Sequence, residues 1–154
     1  MVPSMIKYVQ GNLLEAETEA LVNAVNTVGV MGKGIARIFK EAFPENCRQY
    51  EAACKRHEIS VGYMFVVEQC ELLGPKWIVN FPTKQHWRQP SKLEWIVDGL
   101  VDLRKTIVQN RIRSIAVPAL GCGNGGLDWC DARSAIDQAL CELNDVNVLV
   151  FGPL

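Results

Sequence analysis

Twice in this 154-residue chain an apolar run of strand type breaks into a glycine-rich loop and then resumes with helical spacing. The first instance is NAVNTVGVMGKGIA (residues 23–36) and the second is VPALGCGNGGLDW (117–129). Ordering glycine costs more backbone entropy than ordering any other residue, so such loops serve tight turns or something that approaches the main chain closely. The repeated strand–loop–helix grammar predicts an α/β fold, in which loops at the carboxyl ends of neighbouring strands converge on one crevice. Backbone N–H groups at such loops and at helix starts suit anionic oxygens. GVMGKG is not a phosphate loop of the G-x-x-x-x-G-K-[ST] kind, since Gly34 follows Lys33. Two such loops in matched contexts nevertheless suit a diphosphate lying between them.

The rest of the chain fits around this pair. MIKYV (5–9), ALVNAV (20–25), VGYMFVVEQ (61–69), KWIVNF (76–81), SIAVPAL (114–120) and VNVLVFG (146–152) read as strands. IARIFKEAF (35–43) has helical spacing, and Pro44 both interrupts it and suits the first turn of a second helix, PENCRQYEAACKRH. Ser91 with Glu94 forms an S-x-x-E capping box for a long helix to about Gln109, and another helix runs from Trp129 to about Leu143. The turn at Leu73–Pro75 makes a hairpin of the third and fourth strands, so the sheet is expected to be mixed. PTKQHWRQP (82–90), bracketed by prolines, reads as a loop. The prediction is one three-layer α/β/α sandwich over residues 1–154, with Met5 as the natural start and residues 1–4 an added remnant.

Composition excludes several classes. About half the residues are apolar (49%) and 21% charged, which is neither a disordered nor a membrane chain. No apolar run approaches the ~20 residues that cross a bilayer, and the N-terminus lacks a signal-peptide layout. The six cysteines form no C-x-x-C pair and there are only two histidines, so neither a metal site nor any cofactor is expected. Reduced thiols fit a cytoplasmic protein. A net charge of −1 means that any nucleic-acid contact must come from a local basic patch.

NAVN…GVMGKGIA, NFPTKQHWR and PALGCGNGGLDW together resemble the macrodomain family, the ADP-ribose-binding α/β/α module. The likeness is strongest to DarG-type macrodomains, which are DNA ADP-ribosyl glycohydrolases and antitoxins. By that resemblance Gly11, Asn12 and Leu13 lie near the adenine. The first loop, with Asn26, Gly32, Lys33, Gly34 and Ile35, wraps the distal ribose and part of the diphosphate. Ala119, Leu120, Gly121, Cys122, Gly123, Asn124, Gly125, Gly126 and Leu127 hold the remaining phosphate oxygens through backbone amides. Lys84 reaches the distal ribose and is required for turnover, while Asn26 orients ribose hydroxyls or water. Lys33, Arg88 and partial burial are expected to lower the Lys84 pKa, which suits a nucleophilic amine; a protonated Lys84 steadying the leaving base is the alternative.

The resemblance also implies a substrate, ADP-ribosylated thymidine in single-stranded DNA, and, for a full-length DarG, binding of the cognate DarT-type toxin through a second part. His86, Trp87 and Arg88 are the candidates for DNA contact, by base stacking and a phosphate pair. Two departures stand out. Asn12 occupies the place where many macrodomains carry an aspartate that accepts from the adenine amino group. Gly125 stands where hydrolases of ADP-ribosyl esters on protein carboxylates carry an aspartate; the nearest carboxylate, Asp128, belongs to the following helix start. A non-catalytic ADP-ribose reader and an ester hydrolase are the rival readings.

Overall fold

The computed structural model describes residues 5–153. The reading of residues 1–4 as a remnant lies outside them. In chain order the strands are β1 (Met5–Val9), β2 (Ala20–Asn26), β3 (Phe65–Glu68), β4 (Trp77–Lys84), β5 (Ser114–Val117) and β6 (Asn147–Phe151). The helices are α1 (Gly34–Ala42), α2 (Pro44–Lys55), α3 (Leu93–Gln109) and α4 (Trp129–Leu140), with short 3₁₀ turns at Leu13–Glu15 and Gly123–Gly125. The six strands form one mixed sheet in the order β1-β6-β5-β2-β4-β3. Every pairing is parallel except the β3–β4 hairpin, which is antiparallel.

Helices cover both faces, which is why β2 reads as a nearly unbroken apolar run instead of alternating. Ala20 and Val22 pack with Val79, Ile115, Leu100, Ile136 and Leu140 on the α3/α4 face. Leu21 turns the other way, onto Phe39 of α1 with Ile78 and Ala116. Phe39 is fully buried, and truncating it to alanine would cost about 3–5 kcal/mol. Gly99 sets how closely α3 approaches the sheet: a Cβ there would lie 2.4 Å from the Phe81 ring of β4.

Several boundaries differ from expectation, each for a local reason. The third strand starts at Phe65 because residues 60–63 make a turn, Tyr63 N–H donating to Ser60 O, and Asp102 captures the Met64 N–H at 2.7 Å. The fourth strand runs on through Pro82 to Lys84. β3 pairs only as far as Asn80, so β4 is an edge strand at Pro82, where a proline is tolerated. β5 stops at Val117, since Pro118 cannot donate to a ladder. α4 ends at Leu140, short of Leu143. The capping box does not form: α3 begins at Leu93 behind Lys92, with no side-chain cap, and Ser91 is engaged elsewhere.

Candidate functional site

β2 and β5 are neighbours, yet the helices that follow them pack on opposite faces, α1 with Leu21 and α4 with Val22. Their connecting loops must therefore part, and the parting of two parallel strands is where an open α/β sheet makes its crevice. The loops still touch across it: a Cβ on Gly34 would lie 3.3 Å from Asn124 Nδ2.

The first loop is organised by one side chain. Asn26 is buried, and its Oδ1 accepts from the N–H groups of Val28 (3.1 Å), Gly29 (3.1 Å) and Val30 (3.3 Å) while its Nδ2 donates to Val30 O (2.7 Å). The Tyr50 hydroxyl, from α2, donates toward Asn26 O at 2.7 Å and Oδ1 at 3.0 Å. Burial holds that phenol well above its ordinary pKa, so it stays a donor. Backbone amides become available only further on, where α1 starts at Gly34 behind Lys33 with no side-chain cap.

The second loop is held mostly by main chain, with the Cys122 thiol donating to Leu120 O at 3.7 Å as its side-chain bond. Leu127 N–H donates to Gly121 O at 2.9 Å, Cys122 N–H to Ala119 O at 3.1 Å, and Gly126 N–H to Gly123 O at 3.1 Å. Gly121 (φ +74°) and Gly123 (φ +66°) adopt left-handed conformations that a side chain would strain. Among the described residues the N–H groups of Gly121, Gly123 and Asn124 donate to no carbonyl, which leaves a turn of free donors suited to an anion.

Lys84 closes the row. It is the last residue of β4 and pairs with Asn26 across the β2–β4 ladder, at the same sheet edge as both loops. Its Nζ donates to Trp87 O at 3.0 Å. Burial, and then the nearby Lys33 charge, push its ammonium below the usual lysine range.

The profile of the Macro domain matches residues 22–136. The chain belongs to the macrodomain family. It is 56% identical over 149 residues to a DNA ADP-ribosyl glycohydrolase of Mycobacterium tuberculosis, covering 97% of this chain and 42% of that protein. The chain thus spans about two fifths of the length of the curated relatives it matches. Among solved structures, the macrodomain of Mycobacterium tuberculosis DarG superposes with a TM-score of 0.96 at 55% identity, covering 98% of this chain and 99% of that one. Thermosipho africanus DarTG in complex with ADP-ribose gives 0.90 at 34% identity, covering 97% and 42%.

In this macrodomain the sheet order sets out the remaining candidates. Gly11, Asn12 and Leu13 leave β1, two strands from β5, while Lys84 ends β4, two strands from β5 on the other side. At ~4.8 Å per strand the ends of the row are about 19 Å apart. Asn12 caps the first 3₁₀ turn, its Oδ1 accepting from Leu14 N–H at 3.1 Å, and Leu13 is buried. Gly32 and Lys33 are exposed on the first loop, whereas Ile35 packs partly into the core. Leu120 is buried, and Cys122 is held as a thiol by burial and by Asp128. Asp128 caps α4, Oδ1 accepting from Cys130 N–H at 2.8 Å. His86, Trp87 and Arg88 form a stack beside Lys84, with His86 and Trp87 ring centroids 5.4 Å apart and the Arg88 guanidinium 4.5 Å over the indole. Arg88 is thus committed to Trp87, and Lys33 is the cation that acts on Lys84.

Two residues have roles that their spacing does not disclose. Tyr50 sits on the apolar stripe of α2 with Cys47, Ala53 and Cys54, and nothing in that spacing says its hydroxyl reaches Asn26. Ser91, read as a helix cap, instead donates its N–H to Gly125 O at 2.9 Å. Among the described residues there is no group of three metal-ligating side chains and no helix long and apolar enough to cross a membrane.

Proposed function

We propose that this macrodomain binds ADP-ribose along its open sheet edge and hydrolyses the N-glycosidic bond joining ADP-ribose to thymidine in single-stranded DNA. The adenine lies by Gly11–Leu13, the diphosphate against the free amides of Gly121, Gly123 and Asn124 and the start of α1, and the distal ribose under Lys84. The observation that carries the reading is Lys84 itself: a half-buried amine at the strand end beside Asn26, two strands from the turn of free amides that follows β5. Two relatives, a DNA ADP-ribosyl glycohydrolase and a DarTG whose structure holds ADP-ribose, support the ligand and the reaction class.

Lys84 acts as a nucleophilic amine. Nζ forms a bond to the anomeric carbon, the bond to the base nitrogen breaks with its electron pair, and that nitrogen takes a proton. Water then displaces the amine, releasing ADP-ribose and restored DNA. Lowered basicity favours the free amine this requires. Asn26, with its polar atoms engaged inside the first loop, acts by fixing that loop under the ribose. His86, Trp87 and Arg88 receive the flanking nucleotides by stacking and phosphate contact. In a longer natural protein the module is the antitoxin activity that reverses a cytoplasmic DarT-type toxin.

An oligonucleotide carrying ADP-ribosylated thymidine, incubated with wild type and Lys84→Ala, tests the reading. Wild type is expected to release ADP-ribose and the variant to lose at least about 10³-fold in turnover, the scale of losing an activated nucleophile. The N-glycosylamine on Lys84 opens its furanose ring to a protonated Schiff base, and cyanoborohydride, which reduces that C=N bond, is expected to trap ADP-ribose on Nζ as a secondary amine. Undiminished turnover in Lys84→Ala overturns the lysine mechanism. Release only from a protein ADP-ribosylated on glutamate would mark an ester hydrolase, and tight binding without any release a reader.

A further inference from the structure

The segment carrying the lysine and the turn carrying the free amides come from different strands, yet they are joined at one point. Ser91 N–H donates to Gly125 O at 2.9 Å, the one backbone hydrogen bond among the described residues between 84–92 and 118–127. The Ser91 side chain presses on the same residue: a Cβ on Gly125 would lie 2.6 Å from Ser91 Oγ and 3.1 Å from Ser91 Cβ. Ser91 is 6% exposed, and its Oγ is buried with no hydrogen-bond partner. A buried hydroxyl left unsatisfied is destabilising, and alanine would fill the same position without that cost. Local stability therefore gives no reason for the hydroxyl, which lies against Gly125 between the two halves of the site.

We infer that Ser91 is a positioning residue, a clasp that locks the 123–125 turn to the lysine-bearing segment and so fixes the spacing between the diphosphate amides and the Lys84 amine. The inference rests on the proposed nucleotide site and deepens it. The backbone bond holds the turn in, and the side chain holds the Cα of Gly125 off, so the outer amides at 123 and 124 keep facing the crevice. A side chain at position 125 would have to push Ser91 aside, its Oγ by rotation and its Cβ by a few tenths of an ångström. The packing of a neighbouring segment thus opposes a carboxylate there.

A double-mutant cycle tests this by calorimetry with ADP-ribose and by turnover on the modified oligonucleotide. Gly125→Ala, which drives its methyl into Ser91, is expected to weaken ADP-ribose binding by about tenfold or more, and Ser91→Gly in the same chain to return it to within about threefold of wild type. The rescue locates the loss in the contact between residues 91 and 125, and the turnover of Ser91→Gly set against its thermal midpoint separates placement from packing alone. Should Gly125→Ala fail to fold, Ser91→Gly alone decides: saturating turnover is expected to fall about tenfold, with the thermal midpoint little changed, because loosened placement acts on the reacting geometry. Gly125→Ala binding as wild type, a loss that Ser91→Gly does not relieve, or unchanged turnover in Ser91→Gly overturns the clasp. Wild type failing to bind ADP-ribose overturns the nucleotide site and the clasp together.

Discussion

The two glycine-rich loops occupy equivalent places at the ends of adjacent parallel strands, but they are built in opposite ways. The 26–30 stretch is folded around the Asn26 side chain, which consumes three backbone N–H groups and a tyrosine hydroxyl. The 118–127 loop has no such organiser: its turns close through main-chain bonds and left-handed glycines, and the amides at 121, 123 and 124 stay free. A side chain that satisfies a loop's donors makes it rigid and uses up its capacity for an anion. Glycines that satisfy nothing leave the donors to a ligand. Similar composition therefore conceals a difference in build, with one loop a scaffold for the strand end beside Lys84 and the other a turn of free amides, the cradle proposed for the phosphates.

The largest expected effect comes from charging the cradle. A Cβ at Gly123 would meet nothing within 4 Å, so Gly123→Glu starts its side chain into open space beside the free amides. Like-charge repulsion against a diphosphate costs several kcal/mol, and calorimetry is expected to show ADP-ribose affinity falling by about 100-fold or more. Gly123→Ala isolates the backbone strain at φ +66° and is expected to lose much less. Wild-type affinity in Gly123→Glu would remove the cradle and with it the contrast between the loops.

Next in size is a matched pair of asparagine truncations, read by thermal or urea unfolding. Asn26→Ala strands three N–H groups and Val30 O, while the Tyr50 hydroxyl keeps its bond to the main-chain O of residue 26, and is expected to cost about 2–4 kcal/mol. Asn124→Ala, at an exposed position of the second loop, is expected to stay within about 0.5 kcal/mol. Equal costs would show that the two loops are organised alike.

How much of this the sequence discloses divides along the same line. Parallel strands, their order of glycine loops and helices, and the mixed sheet are legible because they rest on periodicity and on what proline and glycine do to a backbone. Lys84 is legible as a residue but not as a strand end, because Pro82 reads as a breaker until β3 is seen to stop at Asn80. Ser91 misleads for a related reason. S-x-x-E encodes a cap whenever the helix starts at the next residue, but tertiary contact with Gly125, 34 positions on, draws the serine out of that role. Tyr50 is invisible because an apolar ring on a helix stripe and a hydroxyl reaching a distant asparagine share one spacing. The sequence carries what is local, and the side chains that tie one loop to another depend on the packed fold.

The smallest effect expected is also the one that ties the scaffold loop to the chemistry. Lys33, at the start of α1, lowers the Lys84 pKa through its charge, as the second cause after burial. Lys33→Gln therefore raises the Lys84 pKa toward the ordinary lysine value. A nucleophilic amine gives turnover that rises with pH through this pKa, and a charged stabiliser gives turnover that falls; in either case the limb moves to higher pH in Lys33→Gln. The same sign governs stability. A lysine whose folded pKa is depressed binds fewer protons than the unfolded chain only between the two pKa values, so its destabilising contribution is present at neutral pH and is relieved as pH rises from the folded value to the ordinary lysine value. Because Lys33 is exposed, the difference between wild type and variant is expected to shrink in about 1 M salt, where charges are screened beyond ~3 Å. A pH–rate limb for thymidine release that ignores both the substitution and the salt would mean that burial alone tunes the amine, leaving the first loop's cation without a part in catalysis.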